Sequence, residues 1–312
     1  MIKKISIIIP IFNNDQTINL LYSEIKKVFK KIKASYQIVF VDDGSLDNSY
    51  KKIKNICDID KNVLCIKLTK NFGQRFATMA GLKYSSGDYI TNLDADLQDP
   101  PNLVKKIYDK IKNKNTDLLI AARSSVKESL FRKFTSFLQH KILSILIKEY
   151  PKEGFTVWCI SRSLAEKIKK RGNKISLLPL EILNYGYKHE TIFYDRKKRI
   201  IGNSQWTFYQ RIDLAIEMII HSNFSILRFC LYLGTFLLFL SFFYIMVVIY
   251  SYFNNSTPFQ GYSPIIIISL FLGGLNIFFL GAISEYISTI LKNINSYDHY
   301  NVEKIINKNK KL

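Results

Sequence analysis

Residues 87–101 read GDYITNLDADLQDPP and show a pattern that recurs along the first half of the chain. The apolar run Tyr89–Leu93 predicts a buried strand, and three carboxylates follow it. Asp94 and Asp96 are two residues apart, so on an extended chain their side chains point the same way. Together they can hold a hard cation such as Mg²⁺ or Mn²⁺, which prefers oxygen ligands. The alternative is a polar loop in which Asp99 caps the helix that the two prolines begin.

A buried strand that ends in polar residues occurs three more times upstream. Strands are predicted at Ser6–Phe12, Gln37–Val41 and Val63–Leu68, with amphipathic helices over about 15–33 and 75–85. This alternation is typical of an α/β fold with a mostly parallel sheet and helices on both faces. In such sheets ligands bind at the carboxyl ends of the strands. Four polar clusters fall there: Asn13–Asp15, Asp42–Ser45, Asn71–Gly73 and Asp94–Asp99.

Asp42 and Asp43 follow the second strand and are candidates to bind a nucleoside. Their carboxylates can accept hydrogen bonds from a base and a ribose, and Gly44 permits close approach of the backbone. A tight turn with an aspartate cap explains the same residues equally well. Four clusters at one sheet edge indicate a ligand site more strongly than any one of them does.

The order and spacing of these motifs resemble family 2 glycosyltransferases. The motifs are IIPIFN at 8–13, VDDGS at 41–45, Asn71-x-Gly73, and GD followed by DADLQDP within 87–100. The DLQDP form is most similar to the polyprenyl-phosphate branch, which includes dolichyl-phosphate mannose synthases and undecaprenyl-phosphate sugar transferases. This resemblance covers about the first 125 residues.

The resemblance implies a GT-A fold (Rossmann-like) and inversion at the anomeric carbon. It also implies a nucleotide-sugar donor, UDP- or GDP-linked, and Mg²⁺ or Mn²⁺ as the cofactor. By this likeness the metal ligands are Asp94 and Asp96. The donor-binding residues are Pro10, Asp42, Asp43, Asp94, Gln98 and Arg123, the last at the end of a strand predicted over Asp117–Ala121.

The middle of the chain departs from the branch pattern. Residues 127–148 predict an amphipathic helix, either packed on the core or lying on lipid headgroups. Residues 153–162 read EGFTVWCISR, and Thr156 and Trp158 stand where relatives carry acidic, aromatic and arginine residues. Glu153 is the acidic residue available nearby. The departure puts the usual acidic group of the site and the acceptor preference in question.

Residues 196–208, RKKRIIGNSQWTF, are similar to the branch segment R-x-x-R-x-x-G-x-S-K-[YW], with Gln205 in the place of the lysine. Guanidinium groups suit phosphate oxygens because they present several donors in a planar fork. Arg196 and Arg199 are therefore candidates to bind the donor diphosphate or a lipid phosphate, together with Ser204. The catalytic set implied by the resemblance is Asp96, Arg196 and Arg199. The alternative is a solvated basic loop beside a membrane.

Two uncharged apolar stretches predict a membrane hairpin. Phe229–Phe253 and Pro264–Ser284 are long enough to cross a hydrocarbon core, and no charged residue lies between Arg228 and Glu285. The loop between them has no Lys or Arg, whereas both outer flanks do, which places the catalytic domain and both termini in the cytoplasm. Gly273–Gly274 is expected to permit close helix packing.

The membrane interpretation also predicts the ends of the chain and its division into segments. No cleavable signal peptide is expected, because the first predicted strand begins close to the N-terminus. The tail is expected to return onto the cytoplasmic domain and to fray beyond Glu303. The predicted segments are a catalytic domain at 1–206, an amphipathic juxtamembrane helix at 207–228, two transmembrane helices at 229–284 and a cytoplasmic tail at 285–312.

The charge of the chain indicates anionic partners. There are 45 Lys and Arg residues against 25 Asp and Glu, a formal net charge of +20. A nucleotide or an anionic lipid surface suits this balance, although a general bias towards Lys, Ile and Asn explains it too. Nucleic acid is not expected, since no zinc-finger or helix-turn-helix spacing occurs. The four cysteines form no C-x-x-C pair, which predicts reduced thiols.

Three functions remain open from the sequence. The first, implied by the resemblance, is an inverting transfer of a sugar to a polyprenyl phosphate of the undecaprenyl type for cell-envelope glycans. The same resemblance implies a location in the bacterial inner membrane and a homo-oligomer. The second is a membrane-tethered family 2 enzyme acting on a hydroxyl of a lipid-linked glycan, and the third is a non-catalytic partner subunit. A processive synthase is not expected, because its Gln-x-x-Arg-Trp motif is absent.

Overall fold

The structure is a computed structural model. It describes residues 3–113, 116–124, 151, 155, 157–171, 178–196, 226–254, 262–294, 300–307 and 310–311. The chain divides into two compact units, one of residues 1–207 with 297–312 and one of residues 208–296. The helix predicted over 127–148 and most of the one predicted over 207–228 lie outside the described residues.

The first unit is built on a single mixed sheet. Its strands are β1 (Ile5–Ile11), β2 (Tyr36–Asp42), β3 (Val63–Leu68), β4 (Tyr89–Asn92), β5 (Leu118–Arg123), β6 (Val157–Ser161), β7 (His189–Tyr194), β8 (Val302–Asn307) and β9 (Lys310–Lys311). Their order is β7-β5-β6-β4-β1-β2-β3-β8-β9. β1 pairs in parallel with β2 and β4, as do β2 with β3 and β5 with β7. The predicted α/β fold is confirmed, with antiparallel β6 inserted between β4 and β5.

Helices cover both faces of this sheet. The described ones are α1 (Asp15–Ile32), α2 (Ser49–Ile59), α3 (Gln74–Tyr84), α4 (Asn102–Asn113), α5 (Arg162–Arg171) and α6 (Leu178–Asn184). Along β1, Ile7 and Ile9 pack with α1, α2 and α4, whereas Ile8 packs with α3, α5 and α6. All seven residues of β1 are buried. A strand covered on both faces needs apolar residues at every position, which is why it reads as an unbroken apolar run.

The C-terminal tail extends the sheet. β8 pairs antiparallel with β3, and Ile305 and Ile306 pack against opposite faces. The expectation that the chain frays beyond Glu303 is therefore wrong. Two apolar residues among the lysines and asparagines suffice, because the open edge of β3 supplies backbone partners. Cys57 Sγ also donates to the carbonyl of Ile306 at 3.0 Å.

The second unit contains two long helices, α7 (Ile226–Phe253) and α8 (Ser263–Ile294). Within them, Leu231–Phe253 and Pro264–Ser284 are long and apolar enough to cross a membrane. Only 11% of the most apolar window of each is buried within the protein. Large apolar side chains that face outwards along both helices need a nonaqueous environment to be stable.

Small residues let α7 and α8 approach each other. A Cβ on Gly234 would lie 2.6 Å from the backbone nitrogen of Phe278. A Cβ on Gly274 would lie 3.1 Å from the backbone nitrogen of Leu238, so the expected role of this glycine in close packing is confirmed. Gly273 has open space around its Cβ position, so the same expectation is wrong for Gly273.

We expect Ile306→Ala to destabilise the first unit, because it removes a side chain that is 5% exposed and leaves a cavity. The expected loss in free energy of unfolding is about 2–4 kcal/mol. In full-length protein in detergent this should lower the Tm by roughly 5–10 °C.

Lys304→Ala is the matched control, since Lys304 lies on the same strand and is exposed. Its Tm should stay within about 1–2 °C of wild type. Equal melting temperatures for both variants would show that β8 does not belong to the folded core.

Candidate active site

The loop between β4 and α4 places three carboxylates at the carboxyl edge of the parallel strands. Asp94 is 23% exposed at its side chain, and its Oδ1 accepts a hydrogen bond from Gln74 Nε2 at 2.6 Å. Asp96 and Asp99 are 8% and 1% exposed. Burial raises the pKa of Asp94 to about 6, and the charges of Asp99 and Asp96 add to this effect. Arg196 and Gln74 act in the opposite direction. The three carboxylates are thus close enough to repel one another.

The backbone of this loop is fixed by the core. Leu97 has a φ of 60°, a left-handed conformation that non-glycine residues seldom adopt, and its side chain packs in the core. Asp96 Oδ1 accepts a hydrogen bond from the Gln98 amide at 3.0 Å. Thr17 Oγ1, on α1, donates to the carbonyl of Ala95 at 2.8 Å. Core packing and α1 therefore hold Asp96 in place.

Asp99 faces the site instead of capping α4. Its Oδ1 accepts a hydrogen bond from the Tyr194 hydroxyl at 2.6 Å, and its Oδ2 has no hydrogen-bond partner among the described residues. Arg196 Nε lies 3.8 Å from Asp99 Oδ1, and Arg196 Nη2 lies 3.8 Å from Asp94 Oδ2. The buried Nε of Arg196 has no hydrogen bond within the described part of the chain. A guanidinium with unused donors between two carboxylates suits a phosphate ligand.

Asp42 has the character of a ligand-binding carboxylate. It is fully buried at the end of β2, and neither oxygen makes a hydrogen bond of good geometry within the described residues. Burial raises the pKa of Asp42, and this outweighs the lowering by the nearby Ser45 and by the charge of Lys67. Two unsatisfied buried acceptors are costly unless a ligand donates to them. This fits the base or ribose contact predicted for Asp42.

Asp43 is occupied by the protein itself. Its Oδ1 and Oδ2 accept hydrogen bonds from the amides of Phe72 and Gly73 at 2.7 and 2.8 Å. Gly44 has a φ of 71°, and a Cβ there would lie 2.6 Å from the Asn71 nitrogen. Asp43 thus ties the loop after β2 to the loop after β3. Its predicted contact with the nucleoside stays a prediction.

The remaining predicted residues are only partly described. Arg123 ends β5 opposite Tyr194, and its buried Nε has no hydrogen bond among the described residues. Pro10 pairs with Val41 near the end of β1, and Gln98 is partly buried in the carboxylate loop. Arg199 and Ser204 lie outside the described residues, as do Glu153, Thr156 and Gln205.

Trp158 lies in the core of the first unit. It belongs to β6, is 3% exposed and packs with the apolar cluster on the α3 side of the sheet. Asn92 Oδ1 accepts a hydrogen bond from its amide at 3.0 Å. The departure from the branch pattern at this position therefore concerns packing.

Two residues of the cluster were not identified from the sequence. Gln74 comes directly after the Asn71-x-Gly73 motif, and Tyr194 is two residues before Arg196. Its position directly after this motif was the available signal for Gln74. For Tyr194 the signal was the period of two along an extended chain, which puts it on the side of Arg196.

The carboxylates fit a divalent cation that keeps ligands from its substrate. Among the described residues, no group of three or more His, Cys, Asp or Glu side chains is arranged to hold a metal alone. Mg²⁺ is commonly bound through one or two carboxylates plus substrate phosphates. The pKa of Asp94 is raised first by burial and then by the charges of Asp99 and Asp96, and a bound cation would oppose both effects.

Comparison with known proteins finds relatives along nearly the whole chain. The bactoprenol glucosyl transferase of Shigella phage SfX is 31% identical over 304 residues, covering 95% of this chain and 98% of that protein. The undecaprenyl-phosphate 4-deoxy-4-formamido-L-arabinose transferase of Yersinia pestis is 26% identical over 309 residues, covering 98% and 94%. Among solved structures, glucosyl-3-phosphoglycerate synthase from Mycobacterium tuberculosis aligns with a TM-score of 0.48 at 15% identity, over 70% of this chain and 78% of that one.

Two family models match separate parts of the chain. Residues 227–290 match the GtrB C-terminal hairpin, which spans the two apolar helices. Residues 6–170 match glycosyl transferase family 2, and this segment holds the loops of Asp42, Asp43, Asp94 and Asp96. More than half of the chain lies within that match, and the chain belongs to glycosyl transferase family 2.

Proposed function

We propose that this glycosyltransferase moves a sugar from a UDP- or GDP-linked donor to a membrane polyprenyl phosphate of the undecaprenyl type, with inversion at the anomeric carbon. The observation that carries the proposal is the full-length similarity to two transferases whose names specify bactoprenol and undecaprenyl phosphate. The similarity extends through the hairpin, so it includes the part of the chain suited to a lipid acceptor.

The donor would lie along the carboxyl edge of the sheet. Asp42 would accept hydrogen bonds from the nucleoside, since both of its oxygens are buried and unsatisfied. Arg196 and Arg123 would donate to the diphosphate through guanidinium groups whose Nε atoms have no partner in the described chain. These contacts strengthen as negative charge develops on the departing diphosphate, which is the condition for catalysis.

Asp94 and Asp96 would hold Mg²⁺ or Mn²⁺ against the diphosphate. When bound, the cation supplies Lewis-acid stabilisation of the leaving group. The loop backbone, fixed by Leu97 and Thr17, sets the direction of both carboxylates before the donor arrives. Arg199 and Ser204 are proposed as phosphate-binding residues on the basis of the family resemblance.

A phosphate acceptor reduces the demand for a catalytic base. A phosphate monoester has a second pKa near 6, so its oxygen is largely ionised at neutral pH. A sugar hydroxyl, in contrast, needs a general base to remove its proton. The chain departs from the branch pattern where relatives carry an acidic residue, and an ionised acceptor tolerates this.

The hairpin would place the site at the membrane surface. We propose that α7 and α8 cross the bacterial inner membrane and that the catalytic unit faces the cytoplasm. The flanks are basic and the loop between the helices has no Lys or Arg, as the positive-inside rule requires. The segment boundaries predicted from the sequence, and a homo-oligomer, remain predictions.

Asp96→Asn is expected to reduce transfer at least about 100-fold, because it replaces a carboxylate ligand by a neutral amide of the same size. The measurement is formation of labelled lipid from nucleotide sugars and undecaprenyl phosphate in membranes. Asp109→Asn, on the exposed face of α4, is the control and should keep wild-type activity.

The product of the same assay separates the alternatives. An acid-labile lipid carrying one sugar supports the proposal. An acid-stable product on a lipid-linked glycan would instead identify a hydroxyl acceptor. Equal turnover by wild type and Asp96→Asn would contradict the assigned site, and no turnover by either would favour a non-catalytic subunit.

Chelation is expected to abolish transfer, because the carboxylates alone repel the diphosphate. Activity in EDTA should fall to background and return when Mn²⁺ or Mg²⁺ is added in excess. Addition of Ca²⁺ serves as a comparison, since its longer ligand distances suit this geometry less well. Full activity in EDTA would refute metal dependence.

Asp94→Asn is expected to stabilise the fold while it abolishes transfer. The folded pKa of Asp94 is about 6 against an ordinary value of 3.8, so the folded state binds this proton more tightly than the unfolded state does. Ionisation of Asp94 therefore costs wild type stability as the pH rises from about 4 to 6, and the variant lacks this contribution.

The measurement is the Tm of full-length protein in EDTA across this range. The variant should melt higher than wild type at pH 7.5 and at a similar temperature near pH 4. A variant that melts lower than wild type at pH 7.5 would contradict the crowding of negative charge around Asp94.

A further inference from the structure

We propose that Tyr194 and Asp99 are positioning residues for Arg196. Their hydrogen bond fixes the end of β7, and the charge of Asp99 keeps the Arg196 guanidinium beside Asp94, where the donor diphosphate binds. This inference rests on the proposed function and extends it to two residues that neither the sequence motifs nor the proposed chemistry assigns.

Tyr194 is fixed by burial, by strand pairing and by hydrogen bonds of its carbonyl and hydroxyl groups. It is 2% exposed, pairs in register with Arg123 on β5, and its carbonyl accepts a hydrogen bond from the Ser124 amide at 2.8 Å. Its hydroxyl donates to Asp99 Oδ1 at 2.6 Å. Burial, and then the neighbouring Asp99, raise the pKa of Tyr194 above its usual range, so the hydroxyl stays a donor at every working pH.

Asp99 connects this fixed strand end to Arg196. Arg196 is two residues beyond Tyr194. Its Nε lies 3.8 Å from Asp99 Oδ1, the same atom that accepts the hydrogen bond from the tyrosine hydroxyl. Its Nη2 lies at the same distance from Asp94. Both distances exceed that of a charge-assisted hydrogen bond, which is about 2.8 Å. The guanidinium is therefore attracted by both carboxylates while its donors remain available.

The tyrosine hydroxyl prevents Asp99 from forming a direct, short ion pair with Arg196. If the hydroxyl is removed, Asp99 loses its single described hydrogen bond. A buried carboxylate without a hydrogen bond is costly, so a contact with another donor becomes favourable. Arg196 Nε lies 3.8 Å from Asp99 Oδ1, and a direct, shorter ion pair between the two would use the donors that the diphosphate needs. Tyr194→Phe should therefore withdraw Arg196 from the ligand with little change in the volume of the core.

The test measures two quantities on full-length protein in detergent: kcat for transfer, and affinity for UDP or GDP, whichever binds wild type, by titration calorimetry. Tyr194→Phe should lower kcat about 100-fold, because displacing a positioned group by about 1 Å has an effect of this size. It should weaken nucleotide affinity about tenfold, which corresponds to roughly one hydrogen bond to a charged group. In an Arg196→Ala background the same substitution should change the nucleotide affinity less than about twofold, because no guanidinium remains to be positioned.

Controls separate positioning from folding. Tyr108→Phe removes a hydroxyl from another buried tyrosine, on α4, and should leave kcat and affinity unchanged. The side chain in Asp99→Asn still accepts a hydrogen bond from the Tyr194 hydroxyl but lacks the charge, so this variant should also weaken nucleotide binding while its Tm stays near that of wild type. It keeps the test valid if Tyr194→Phe folds poorly.

The outcomes are distinct. An unchanged Tyr194→Phe enzyme, or an equal loss of affinity with and without Arg196, would refute the positioning role. A wild-type protein that transfers no sugar would refute the proposed function itself. A loss that depends on the presence of Arg196 supports the inference.

Discussion

The site depends on one electrostatic constraint, which is the crowding of buried carboxylates at the carboxyl edge of the sheet. Asp94, Asp96 and Asp99 lie within one short loop, and burial, followed by the charges of Asp99 and Asp96, raises the pKa of Asp94 to about 6. The fold tolerates this because Leu97 and the core fix the backbone, while Gln74, Tyr194 and Arg196 supply donors and positive charge. A bound cation would reduce the unfavourable electrostatic free energy of these carboxylates. The arrangement that destabilises the loop without a cation would therefore favour cation binding.

The loops around these carboxylates are also tied to one another by hydrogen bonds. Asp43 uses both of its oxygens to hold the loop after β3, and Asp42 beside it is left buried and unsatisfied. Asp43 thus orders the loop after β3. The tail contributes to this edge, because the Thr69 amide donates to the carbonyl of Asn301 at 3.0 Å, just before the Asp43-bound loop.

In the sequence, the hairpin lies between two segments that both belong to the first unit. The first unit consists of residues 1–207 and 297–312, so the chain leaves it, forms α7 and α8, and returns to pair β8 with β3. An even number of crossings brings the chain back to the side on which it started. A catalytic unit assembled from both flanks of the hairpin is thus compatible with two spans and not with one.

The sequence alone determined the parallel core, the hairpin and the family, because unbroken apolar strands, uncharged helices and motifs of fixed spacing are local patterns. It also indicated Asp94 and Asp96 as candidate metal ligands by their spacing, but both lie in the loop after β4, which ends at Asn92, so the alternation along an extended strand does not apply to them. It did not determine the antiparallel β6, the strand β8 or the burial of Trp158, because these depend on which edge of the sheet remains open for pairing. Only the tertiary structure decided that Asp43 accepts hydrogen bonds from the loop after β3, that Asp42 is buried without a hydrogen bond of good geometry among the described residues, and that Asp99 accepts one from Tyr194, 95 residues away. A hydrogen bond across that separation follows from the packing of β7 on β5, which no local pattern encodes.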